Sequence, residues 1–178
     1  MSASDGGDTV NGMRFAVVGI VALFAAVLIS AAATAPSRTE VRPLPGLPAY
    51  TAGFDRWLKL NRAPIPPRPN DAHLGTKNVF VNRTRARLAP GGRQRFPYPN
   101  GSIIVKSIRR PGQRFVGVVA VMRKLRGKNP AHNDWLMIEY LRASQSARFR
   151  ELASGALCTG CHVQARRRDY VFTRLQRP

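Results

Sequence analysis

Cysteine is nearly absent from this chain: 178 residues contain two, Cys158 and Cys161. Histidine is scarce as well, with three in all, and neither a second cysteine pair nor a His-x-x-x-His follows the cysteines, so a structural zinc ion would have nothing to close its shell. Acidic residues are few. The 9 Asp and Glu stand against 29 Lys and Arg, for a formal net charge of +20. A surface of that sign attracts nucleic acid, anionic lipid or an acidic protein. Its basic residues come as scattered clusters (Arg83, Arg85 and Arg87; Arg93 and Arg95; Arg109 and Arg110; Arg123, Lys124, Arg126 and Lys128; Arg166 to Arg168). They form neither one helix face nor a recognisable nucleic-acid motif, which favours a generally solvated basic surface and argues against nucleic acid as a partner. Internal repeats are lacking too.

Long apolar runs are missing with one exception. Phe15 to Ala35 (FAVVGIVALFAAVLISAAATA) carries no charge, is long enough to cross a bilayer as a helix, and exceeds the usual apolar core of a cleaved signal. The small residues at its end also suit a signal peptidase, so a cleaved signal and a retained anchor both stand, with length favouring the anchor. Either way the bulk of the chain is exported, and a long translocated domain largely ignores the positive-inside bias. The expected organisation is a tail over 1–14, the signal or anchor over 15–35, a proline-rich linker over 36–50 and one folded domain over 51–178.

Within that domain the two cysteines stand in Cys158-Thr159-Gly160-Cys161-His162. On a helix, positions three and four apart share a face, so two thiols and an imidazole converge on one ligand. Read as C-x-x-C-H, the stretch is the attachment signature of a c-type haem, with Cys158 and Cys161 as thioether sites and His162 as the iron ligand. A Cys158–Cys161 redox disulfide or a chance match are the competing readings. Export favours the haem, and with it a site outside the cytoplasmic membrane, periplasmic in a bacterium.

Four apolar runs read as strands: Asn78 to Asn82, Ser102 to Ile108, Arg114 to Met122 and Trp135 to Leu141. Each is apolar on both faces or nearly so, which predicts a sheet covered on both sides, and the short links between the last three suit antiparallel neighbours. Phe54 to Leu60 reads as a short amphipathic helical segment, Ala143 to Leu152 as a helix, and Ala156 to about Arg168 as the helix presenting the haem ligands. The expected fold class is α+β, an antiparallel sheet with flanking helices. Lys106 is out of character, because strand alternation gives it the same face as Ile104 and Ile108. Either its stem lies along apolar surface with the ammonium in water, or its amine is partly desolvated and so more reactive.

Several pieces, taken in order and spacing, resemble the cytochrome P-460 family, which includes the cytochromes c′-beta. They are Asn78-Val79-Phe80-Val81-Asn82, Pro99-Asn100-Gly101-Ser102-Ile103-Ile104-Val105-Lys106, Asn133-Asp134-Trp135, the Cys158–His162 motif, and Asp169-Tyr170-Val171-Phe172-Thr173. The resemblance implies a small α+β homodimer whose single haem is held by two thioethers and by a third covalent bond from a lysine to the porphyrin edge, and Lys106 stands at that lysine's position. It also implies an open iron position. Some members oxidise hydroxylamine there with the help of a distal glutamate, whereas the cytochromes c′-beta bind nitric oxide and other small gases without that turnover. An ungapped count back from Trp135 places the glutamate's position at Val119, which cannot pass a proton, with Glu139 as a substitute; the distal basic position falls at Lys77.

Three functions follow as expectations. The first is a cross-linked cytochrome binding nitric oxide or a related small ligand in an apolar pocket that includes Val119. The second is hydroxylamine oxidation, with electrons leaving to an outside acceptor. The third is plain electron transfer, which needs a sixth iron ligand from His73, His132, Met122 or Met137.

Overall fold

A computed structural model describes residues 40–82, 88–89 and 92–176. The signal or anchor expected over residues 15–35 lies outside the described residues, and among the described ones no helix is long and apolar enough to cross a membrane. The centre of the domain is a six-stranded sheet, antiparallel throughout. Its strands are β1 (Leu58–Lys59), β2 (Thr76–Val81), β5 (Ile103–Arg109), β6 (Val118–Lys124), β7 (Trp135–Leu141) and β8 (Arg150–Ser154), and they lie side by side in chain order. A separate two-stranded hairpin, β3 (Leu88–Ala89) and β4 (Arg93–Gln94), interrupts the order between β2 and β5.

Both faces of the sheet are covered, as the two-sided apolar runs require. One face packs Phe80, Ile103, Val105, Val119, Val121 and Tyr140 against Leu47, Phe54 and Phe149. The other packs Val79, Val81, Ile104, Met122, Trp135 and Met137 against Leu60, Tyr98 and Val171. Residues before β1 therefore cover one face and residues near the C-terminus the other. The proline-rich stretch expected to be a linker is part of the first cover: Leu47 is buried, Leu44 packs against the same cluster, and Pro45 O accepts from Phe149 N at 2.8 Å. Gly46 (φ +88°) is so close there that a Cβ would meet Phe149 O at 2.2 Å, a contact no side chain tolerates.

The helix expected over Ala143 to Leu152 is not formed. Ser144 Oγ accepts from Ala147 N, a local turn that competes with helix. The chain then offers β8 to the open edge of β7, with a bulge between Glu139 and Tyr140. The segment Phe54 to Leu60 divides into one 3-10 turn (Phe54–Arg56) and β1. The expected ligand-bearing helix starts where read: α1 spans Ala156–His162 and continues as a 3-10 turn through Val163–Arg168.

Candidate functional site

Strand alternation and register decide what stands in the middle of the second face. Lys106 of β5 lies opposite Val79 on one side and Ala120 on the other; Ala120 is opposite Glu139, and Glu139 opposite Ala153. Lys106 and Glu139 are thus two strands apart in one row, separated by a residue too small to fill the space between them. Above this row opens a cavity of about 210 Å³. The sheet side contributes Ile104, Lys106, Ala120, Met122, Met137 and Glu139; α1 contributes Leu157, Cys158, Cys161 and His162; the β1–β2 connection contributes Ala72 and His73.

The structure therefore brings together Cys158, Cys161, His162 and Lys106, residues up to 56 positions apart in the chain being joined by the docking of α1 over the sheet. Both cysteines are free thiols, Cys158 half-buried and Cys161 exposed. Burial, and then the nearby Glu139 carboxylate, push the Cys158 thiol up. His162 is buried, and its Nδ1 donates to Tyr170 O at 2.7 Å. A carbonyl can only accept, so this bond fixes the proton on Nδ1 and leaves the Nε2 lone pair for a metal. Desolvation lowers the His162 pKa to about 4, against the opposing pull of the Tyr170 bond, so the imidazole is neutral at pH 7. Phe172 meets the ring edge-on at 5.2 Å.

The carbonyl that orients His162 is itself held by an unusual turn. Asp169 and Tyr170 take consecutive left-handed backbone conformations, at φ 54° and 65°, which disfavours non-glycine residues. Asp169 is buried, and Lys124 Nζ donates to its carboxylate at 2.8 and 3.0 Å, Tyr98 N at 2.7 Å, and Asn133 Nδ2 as well. In the sequence, Asp169 and Tyr170 stand out only within the family resemblance, and the one signal for Lys124 is a lysine closing an apolar strand three positions after Val121.

Lys106 has the desolvated amine. Burial lowers its pKa to about 8, while Asp71 and Glu139 pull upward and Lys77 downward. The sign of the linked stability follows. In the chain carrying no cofactor, the unfolded state binds the extra proton between about pH 8 and the ordinary 10.5, so raising pH through that window should stabilise the fold, by up to about 3 kcal/mol. Denaturant melts at pH 7.5 and 10 check this: the gain should vanish in Lys106→Met.

Other expected residues are placed elsewhere. Val119 is a correction: it lies opposite Ser107 and Tyr140 and is fully buried in the core of the other face. One step along a strand changes the face: Ala120 and Met122 of β6 line the cavity, and Glu139 of β7 is a carboxylate in its wall. Lys77 is buried but committed, paired with Asp71 and donating to Gly75 O at 2.9 Å, and it is not among the residues lining the cavity. Of the sixth-ligand candidates, His73, Met122 and Met137 line the cavity, whereas His132 packs on Tyr170 and Asn129 outside it.

A family model described as Cytochrome P460 matches residues 51–173. No curated protein matches the chain.

Proposed function

The chain belongs to the cytochrome P460 family and so to the haem proteins, and from that premise we propose that it is a c-type cytochrome with one covalently held, lysine-linked haem and an open iron position for nitric oxide or a related small nitrogen ligand. The observation that carries this reading is the convergence of Cys158, Cys161, His162 and Lys106 on one cavity. The donor set fits the group. Two free thiols at i and i+3 can each add S–H across a vinyl, His162 presents a neutral Nε2, and a predominantly apolar wall suits a porphyrin face.

When bound, the haem supplies an iron that takes small ligands and exchanges electrons. The rest is the work of the chain. Lys106, partly neutral near pH 8, is a nucleophilic amine at the cavity wall. A bond from it to the porphyrin edge would replace one N–H and one C–H, and would need a two-electron oxidant, such as a peroxide, to take up the two electrons and two protons. Tyr170 O holds the His162 ring in place, and the apolar Ile104, Met122 and Met137 exclude water. The strong positive charge suits an acidic electron-transfer partner. Export through residues 15–35, a place outside the cytoplasmic membrane and a homodimer belong to the same proposal.

A second reading, hydroxylamine oxidation, gains support from Glu139. It is a carboxylate in the cavity wall, in one row with Lys106 across Ala120. Plain electron transfer is the third, through His73, Met122 or Met137.

Spectra separate these. The ferrous protein should show a strongly red-shifted Soret band that Lys106→Arg returns to an ordinary c-type position; an ordinary band in the unmutated protein rules out the cross-link. Hydroxylamine consumption with an artificial electron acceptor decides for or against the second reading. A low-spin, six-coordinate ferric spectrum would favour the third.

A further inference from the structure

A second cavity, of about 220 Å³, adjoins the first and is lined by Leu74, Ile108, Arg110, Val118, Leu141 and Leu152. Three residues, Ala72, His73 and Glu139, line both. The boundary between the two spaces is therefore a histidine facing a carboxylate: His73 Nδ1 lies 3.3 Å from Glu139 Oε2, with the side chains 16% and 14% exposed. That is close enough for charge attraction, yet Nδ1 is buried and has no aligned hydrogen bond to any described residue. Its backbone, in contrast, is pinned. His73 N donates to Asp71 Oδ1 at 3.0 Å, and Asp71 is paired with buried Lys77.

The two histidines of the inner cavity are thus differently committed. His162 spends Nδ1 on Tyr170 and comes from α1; His73 comes from the β1–β2 connection, with Nδ1 beside the Glu139 carboxylate and not yet aligned with it. A buried polar nitrogen without a partner is costly in an apolar wall; a slight turn of either side chain lets Glu139 complete Nδ1, which leaves Nε2 as the ring nitrogen open to a cavity ligand. Glu139 has the room to serve it, because its cross-strand neighbours Ala120 and Ala153 are both small.

We propose that His73, braced by Glu139, is the hydrogen-bonding group for the small ligand of this cavity, a nitrogen oxide or hydroxylamine, and that the pair forms the passage to the outer space ending at Arg110. With a carboxylate facing one ring nitrogen, the imidazole turns the other to the ligand, donating when protonated and accepting when neutral. The same pair therefore suits an acceptor such as a nitrogen oxide and a donor such as hydroxylamine. This rests on the functional reading above and adds the residues that contact the ligand's outer atoms.

The test uses the haem-loaded full chain and its His73→Leu, His73→Gln and Glu139→Gln variants. Under carbon monoxide, the infrared C–O stretch of the ferrous protein should move to higher frequency in His73→Leu, less in His73→Gln, with the Glu139→Gln shift between. Hydroxylamine affinity for the ferric protein, by optical titration, should fall on the order of tenfold in His73→Leu. A C–O stretch identical in all four proteins overturns the proposal. So does a low-spin ferric spectrum that becomes high-spin in His73→Leu, since His73 would then bind the iron itself. Intact mass of the unmutated protein distinguishes the two levels: absence of retained porphyrin removes the functional reading, whereas retained porphyrin with an unmoved stretch removes only the role of His73.

Discussion

Lys124→Met lowers the stability of this domain by about 3–5 kcal/mol, because it leaves the Asp169 carboxylate buried without its counter-charge. For a domain of this size that corresponds to a melting point lower by on the order of 10 °C or more. Asp169→Asn strands the opposite charge and costs about as much. The double variant Lys124→Met with Asp169→Asn should be less destabilised than the two singles added together, since no charge remains to be desolvated. Additive losses in a double-mutant cycle would show that the pair is not coupled as drawn. The effect reaches the site as well. Asp169 adjoins Tyr170, whose carbonyl holds His162, so the haem-loaded Lys124→Met protein should show a broadened or shifted iron–histidine stretch in its Raman spectrum. A purely structural role would lower the melting point and leave that band where it was.

The second large effect is all-or-none. Cys158→Ser combined with Cys161→Ser abolishes retention of porphyrin through thioethers, and intact-mass measurement should return the bare polypeptide. Each single variant should keep one thioether and retain the group. Porphyrin retained by the double variant but lost when Lys106→Arg is added would mean that the lysine bond forms without the thioethers. Porphyrin released intact by acid solvent from the unmutated protein would remove the covalent reading altogether. The two thiols are unequal in setting, Cys158 half-buried and Cys161 exposed, so Cys161 should be the faster of the two to react with a thiol reagent in the unloaded chain.

Much of the candidate site is legible in local sequence. The i, i+3, i+4 spacing of Cys158, Cys161 and His162 is a property of one helical turn, and α1 supplies that turn. The face of Lys106 follows from alternation within one strand, Ile104-Val105-Lys106-Ser107-Ile108. The two-sided cover of the sheet was visible in its unbroken apolar runs. Two local readings failed for local reasons of a different kind: the serine turn at Ser144 outcompeted a helix, and the prolines before Leu47 did not prevent that residue from packing.

What no stretch by itself contains is register and docking. Val119 and Ala120 are neighbours in the chain, and only the pairing of β6 with β5 and β7 says which of them joins Lys106. The pairing of His73 with Glu139 and of Lys124 with Asp169 joins residues 66 and 45 positions apart. Periodicity assigns a side chain to a face of its own element, because the backbone repeat is short-range and nearly invariant. Which faces then meet depends on how whole elements pack to bury apolar area, and that free energy belongs to the assembled domain. So the spacing of the candidate anchors Cys158 and Cys161 and of the candidate iron ligand His162 belongs to the chain itself, and the company they keep in the cavity was decided by the fold.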